Sequence, residues 1–358
     1  MEAIVSEKTI PASTKIIRVG VVGTGPFSFY GTFNHIINNT FRDYNYMNMR
    51  VTHIWGDDYS KNYKGSPEYV KKMLDFWNDK DHSPQGIAQQ CGIPNVCKDF
   101  RDMVDKVDAA MIMDFDRSYE LAEPFLKRGI PIFICSPVAV SIPECEKILD
   151  LAEANGAAVF TGAYSLSLFE NVLRYDRIRR DNVAAFFAST AFAFFTSYAP
   201  DGLDPVYLLI GPGVRKVSLH GWNGSEGYDP TGIPVSRIHL EYEPRGNNPP
   251  IQGVLTLGGF GKSSEWYKVY YHDHTVLEGV TNTNWGKYER TVRDFMLDIQ
   301  EVFATNKSLE THSDIINKLK VLIGAYKSAR EGNRPVLLSE IGDYHLPTVR
   351  IEKWDVIP

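Results

Sequence analysis

Up to residue 161, the chain alternates short apolar runs with amphipathic stretches. Residues 16–22 (IIRVGVV) are apolar and rich in β-branched side chains, the pattern of a strand buried in a parallel sheet. Runs at 51–55, 109–113, 130–134 and 157–160 predict further strands. A helix is expected after the glycines that follow residue 22, through about residue 39. Another lies between the strands at 109–113 and 130–134, with Gly129 as its terminator. Ser141 and Glu144 have the spacing of a capping box, so a third helix starts there. Its apolar positions Cys145, Ile148, Leu149 and Ala152 recur at i, i+3, i+4 and i+7, and Asn155-Gly156 stops it. This alternation predicts a doubly wound α/β Rossmann domain over residues 1–161.

The pattern then changes. Stretches at 184–198, 214–222, 237–243, 253–257, 266–271 and 275–280 are β-rich, and Pro- and Gly-rich breaks such as 245–250 punctuate them. Two amphipathic helices follow. One, over 288–304, aligns Val292, Phe295, Met296 and Ile299; the other, over 314–330, aligns Ile315, Ile316, Leu319, Leu322, Ile323 and Tyr326. Gly332 and Pro335 end the second. Residues 162–358 are therefore expected to form an α+β domain with a largely antiparallel open sheet, serving substrate binding and oligomerisation.

Composition agrees with two domains: 358 residues, 43% hydrophobic and 12% aromatic, enough for substantial cores. A net charge of −6 argues against broad attraction to nucleic acid or acidic membranes. Four cysteines without a CxxC spacing suggest neither zinc nor a disulfide framework, and fit a reducing, cytoplasmic setting. Residues 1–15 lack the order of a secretion signal, and no run approaches the ~18 apolar residues that span a bilayer.

Gly23-Thr24-Gly25-Pro26-Phe27-Ser28 carries the strongest chemical signal. Gly23 permits a tight strand-to-helix turn, Gly25 lets a pyrophosphate approach the backbone, and a small third residue, here Ser28, lets helix and strand pack. Exposed N–H groups at the helix start favour the phosphate charge. Asp57, or its neighbour Asp58, ends the second strand, where a carboxylate accepts hydrogen bonds from ribose hydroxyls. An acid there repels a 2′-phosphate, so NAD is expected in preference to NADP. The plain alternative is a structural turn that binds nothing.

With these signals the sequence resembles the glucose-fructose oxidoreductase / inositol dehydrogenase / MocA (Gfo/Idh/MocA) family over residues 16–338. The resemblance rests on the segment from Ile17 through Gly25, on 120–133 (ELAEPFLKRGIPIF), on Pro137 with the helix from Ser141, on Gly211-Pro212-Gly213, and on Ser328-Ala329-Arg330-Glu331-Gly332. It implies NAD(P)-dependent oxidation or reduction of sugars, polyols or related carbonyls, in homodimers or homotetramers. The cofactor is then expected at Gly23, Thr24, Gly25, Pro26, Phe27, Asp57, Ser136 and Pro137.

The family's catalytic motifs are altered. Cys135-Ser136-Pro137 stands where the family has Glu-Lys-Pro, Asp204 aligns with its histidine, and Gly162-Ala163-Tyr164-Ser165 lacks its arginine-bearing segment. Three readings follow. Asp204, Tyr164 or Tyr207 supplies the proton transfer of an atypical oxidoreductase; the protein is a non-catalytic cofactor-binding sensor or partner subunit; or it is an NAD-assisted glycoside-processing enzyme. For Asp204 the structural alternative is an N-cap of a short helix over 206–210, with Pro205 at its first position. Cys135 reads as a buried filler, and His272-Asp273-His274 as a polar turn between strands. His220, Trp222 and Asn223 either line a sugar pocket or end a strand.

Overall fold

A computed structural model of the protein describes residues 15–23, 47–56, 83–114, 117–162, 179–190, 195–221, 236–257, 264–282 and 288–346. Six parallel strands form the first sheet: β1 (Ile17–Val22), β2 (Met49–Trp55), β3 (Asn95–Val96), β4 (Ala109–Ile112), β5 (Ile132–Cys135) and β6 (Val159–Gly162). Their order is β3-β2-β1-β4-β5-β6, the doubly wound Rossmann arrangement. The order reverses between β1 and β4, and ligands of such sheets bind outside the carboxyl ends at that reversal.

Three helices accompany these strands: α1 (Pro84–Cys91), α2 (Ser118–Leu126) and α3 (Ile142–Asn155). The Ser83 hydroxyl accepts from the Gly86 N–H and starts α1. Ser141 does the same for α3, accepting from the Glu144 N–H. The Glu144 carboxylate accepts from the N–H groups of Val140 and Tyr119, tying the start of α2 to that of α3.

The second sheet holds β7 (Val183–Thr190), β8 (Val214–His220), β9 (Ser236–Tyr242), β10 (Gln252–Leu257), β11 (Ser264–Tyr271), β12 (Val276–Asn282) and β13 (Val336–Leu337), ordered β12-β11-β7-β10-β9-β8-β13. All neighbours are antiparallel except β7 and β10. Helices α4 (Phe195–Ile210), α5 (Tyr288–Thr305) and α6 (His312–Arg330) complete the described elements.

Two expectations change here. The apolar run at 184–198 is not one strand: β7 ends at Thr190, and Phe195 already belongs to α4. That helix runs through both Pro200 and Pro205. Asp204 therefore lies inside it and is not the N-cap of a short helix over 206–210. Burial outweighs the prolines, because Ala199, Leu203, Val206 and Ile210 are all fully enclosed.

Successive residues of the first sheet's strands feed two different cores, as side-chain alternation requires. Ala110, Ile112, Ile132 and Ile134 join Leu121, Phe125, Ile148 and Leu149 of α2 and α3. Ala109, Met111, Phe133 and Phe160 join Ile87 of α1 and Phe295, Met296 and Ile299 of α5. The Phe295 ring stands edge-on to Phe133, with centroids 5.7 Å apart, and 6.0 Å from Phe160. Side chains after and within α5 also bond the first sheet's margins. The Asn306 side chain accepts from the Ala158 N–H, the Ser308 hydroxyl from the Val159 N–H, and Gln300 from the Asn48 N–H.

Candidate functional site

Gly23 leaves the tip of β1 with φ +97°, a region open to glycine and strained for other residues. Its N–H donates to the Trp55 carbonyl at the end of β2. A Cβ on Gly23 would sit 3.0 Å from Asp114 Cβ and 3.1 Å from the Asp114 nitrogen, so β4 leaves no room for a side chain. Asp114 is buried and accepts from Arg117 Nη2 at 3.1 Å, and the Arg117 guanidinium lies 5.6 Å from the Trp55 ring centre. The ends of β1, β2 and β4 thus present a glycine turn, an indole and an Asp–Arg pair at the strand-order reversal. Such a turn fits a dinucleotide pyrophosphate. Thr24, Gly25, Pro26, Phe27 and Asp57 lie outside the described residues.

A second cluster forms where β5 and β6 end. The Ser136–Pro137 peptide bond is cis, and the Ser136 and Thr161 hydroxyls lie 3.5 Å apart. With Leu203 and Asp204 of α4 and Lys318 of α6 they border a cavity of about 20 Å³. The structure thus brings Ser136, Pro137 and Asp204 together, while Tyr164 lies outside the described residues. Asp204 is 2% exposed, and its Oδ1 receives Lys318 Nζ at 2.6 Å. Lys318 also bonds Glu310, which precedes the N-cap Thr311.

Burial disfavours an ammonium, but Asp204 and Glu310 outweigh it and hold the Lys318 pKa above the usual lysine value. Burial pushes the Glu310 carboxyl up to about 7: Lys318 pulls it down, while Asp204 and Asp314 push it up. One turn beyond Asp204, Tyr207 is buried, and its hydroxyl makes no hydrogen bond among the described residues. Burial first, then Tyr242, Asp314 and Asp204, raise its pKa well above that of an ordinary tyrosine. Tyr207 therefore stays protonated at neutral pH and is a poor proton acceptor.

Cys135 is half-buried at the end of β5, and none of the four cysteines forms a disulfide among the described residues. His272, Asp273 and His274 lie in the turn between β11 and β12, where Asp273 pairs with Arg179. His220 ends β8, and its Nε2 lies 2.9 Å from the Ser218 hydroxyl; Trp222 and Asn223 lie outside the described residues.

Sequence reasoning missed Trp55, Asp114, Arg117, Glu310 and Lys318. The signal for Lys318 was present: it sits at i+3 from Ile315 and i−4 from Leu322, a charge inside the apolar stripe of α6. Glu310 carries no periodicity and is found only through its partner.

Residues 17–163 match the model of the GFO_IDH_MocA oxidoreductase family, described as an NAD-binding Rossmann fold. The match makes residues 17–163 similar to the NAD-binding Rossmann domain of that family. Solved structures extend the likeness of fold to both sheets. The scyllo-inositol dehydrogenase of Lactobacillus casei with bound NAD(H) and scyllo-inositol is 14% identical with a TM-score of 0.66, covering 91% of this chain and 100% of that one. The myo-inositol 2-dehydrogenase of Lactobacillus plantarum is 13% identical, TM-score 0.63, with 90% and 99% covered. An oxidoreductase of Agrobacterium radiobacter in complex with NAD+, L-tartaric acid and magnesium is 13% identical, TM-score 0.60, with 91% and 99% covered. No curated protein sequence matches the chain. Among the described residues, no helix is long and apolar enough to cross a membrane.

Proposed function

We propose that the protein is an NAD-dependent oxidoreductase that interconverts a carbinol and a carbonyl on a sugar- or polyol-like substrate. The observation that carries this reading is the Gly23 turn, packed against β4 at the strand-order reversal of an NAD-binding family domain. The substrate class comes from the inositol dehydrogenases that share the fold.

In this reading Gly23 and the segment Thr24-Gly25-Pro26-Phe27 hold the pyrophosphate, and Asp57 holds the adenosine ribose and selects NAD over NADP. Bound NAD accepts or returns a hydride. The chain orients the substrate between the ends of β5 and β6 and α4, near Ser136, Pro137 and Tyr164, with Asp204 among the groups that manage its proton. The protein works in the cytoplasm as a homodimer or homotetramer, with units 1–161 and 162–358. The serine at position 136, where the family has lysine, favours one competitor: a cofactor-binding sensor or partner subunit without turnover.

Calorimetric titration of NAD and NADP, with NADH absorbance followed across a panel of polyols and aldoses, tests both. The expected result is NAD binding, NADH formation with at least one polyol, and a loss of affinity of at least roughly 100-fold in Gly23→Val. NAD binding without turnover on any compound supports the sensor or subunit. Tighter binding of NADP than NAD overturns the role of Asp57.

A further inference from the structure

The Asp204–Lys318–Glu310 cluster has more ionisable groups than an interior ion pair needs. Lys318 is 7% exposed on the apolar stripe of α6, and Asp204 is 2% exposed on α4. One carboxylate balances one buried ammonium; the second leaves the cluster at −1 when all three groups are ionised. A low-dielectric site resists that excess charge and favours taking up a proton. Geometry identifies the member that takes it. Glu310 Oε2 is buried without a hydrogen-bond partner among the described residues, while the side chain as a whole remains 18% exposed. Burial likewise pushes the Glu310 carboxyl, and not the ammonium, toward neutrality.

Among the described residues, the other charged and titratable groups facing this cluster are Asp314, in the first turn of α6, and Tyr207, which stays protonated. The Asp314 carboxylate is held by the Thr311 hydroxyl at 2.7 Å and its N–H by the same cap.

The inner end of the cluster faces the site. Asp204 and Lys318 border the same 20 Å³ cavity as Ser136 and Thr161, at the carboxyl ends of β5 and β6. That volume suffices for about one water molecule. The residues therefore run from Ser136, where the family lysine is missing, through Asp204 and Lys318 to Glu310, whose side chain is partly exposed.

We propose that Asp204, Lys318 and Glu310 form one acid–base unit, in which Lys318 supplies from α6 the ammonium that position 136 lacks and Glu310 holds the exchangeable proton. This rests on the oxidoreductase reading above. Oxidation of a carbinol breaks one C–H and one O–H bond. The hydride, with its electron pair, passes to NAD+ and gives NADH, and the carbon–oxygen bond becomes a carbonyl. The O–H proton passes through Ser136 and the cavity to the unit, whose charge changes from −1 to 0 as Glu310 is protonated. Glu310 then releases that proton to solvent. Reduction runs the same steps backward. The three residues act through Ser136 and are positioning and proton-holding groups.

The test compares wild type, Glu310→Gln and Lys318→Arg. In wild type, kcat/KM for carbinol oxidation falls as pH drops below about 7, because Glu310 must be ionised to accept the proton. Glu310→Gln is expected to lose at least roughly 10-fold and to lose that limb of the pH profile. Lys318→Arg, which keeps the cation, retains the limb. A readout independent of turnover is the infrared band of a protonated carboxyl, expected to titrate near 7 in wild type and to be missing from Glu310→Gln. Turnover with an unchanged pH limb in Glu310→Gln, or a carboxyl band that persists in that variant, overturns the acid–base unit alone. Failure of wild type to bind NAD overturns the oxidoreductase reading instead, a result the infrared titration does not share.

Discussion

The two sheets bury their residues in opposite ways. Every residue of β4 is buried, and neighbouring strands alternate between two helix-covered cores. In β9 the order is buried, exposed, buried, exposed: Ile238 and Leu240 point inward, Arg237 and His239 outward. Among the described residues, β4 is closed on both faces, whereas β9 has one closed face and one open. The difference teaches where chemistry can sit. In the first sheet it must collect at the carboxyl ends, at Gly23, Trp55 and Asp114 and at Ser136 and Thr161. In the second it is brought by helices that cross the closed face, through Asp204 and Lys318.

The contrast is breakable by substitution. The largest effect is expected for Phe133→Ala, which removes a fully buried ring packed on Phe160 and Phe295. Chemical denaturation should show a loss of ~3–5 kcal/mol; a loss below ~1 kcal/mol would mean that the α5 face is not tightly packed. An intermediate effect concerns Glu310. Its proton is held more tightly in the folded chain, at about 7, than in the unfolded one, at ~4.3. The stability this contributes is complete below the unfolded value and lost as pH rises through about 7. Wild type minus Glu310→Gln should therefore show stability declining across that window by on the order of 3–4 kcal/mol. A flat difference would place the proton elsewhere. The smallest effect is expected on the open face. Phe187 is 42% exposed, although its neighbour Phe186 is 2% exposed. Phe187→Thr should change the denaturation midpoint by an amount equivalent to ~0.5 kcal/mol or less, and a large loss would show that this face is covered in solution.

The strands of the first sheet were legible because strands buried on both faces leave continuous apolar runs, as at 109–113. The start of α3 was legible because Ser141 and Glu144 are local signals. Helix α4 was not: Pro200 and Pro205 read as breakers, and the aromatics before them read as strand, while what keeps the helix is packing on β7 just before it and on β10 and α6 far along the chain. The site divides in the same way. Gly23 is visible as part of a motif, because one turn of backbone determines its role. Lys318 is visible only as an intrusion in an apolar stripe, and its meaning depends on Asp204, 114 residues earlier.

Helix α5 has a genealogical consequence. It arises after six of the second sheet's seven strands yet seals the rear of the nucleotide-binding layer, with Phe295 against Phe133 and Asn306, just beyond the helix, fastened to Gly156 and Ala158. A gene fragment ending near residue 161 would encode a sheet with one side bare. Shuffling of the two halves between relatives would have to carry this late patch along with the early strands it covers, so the halves are inherited as a pair.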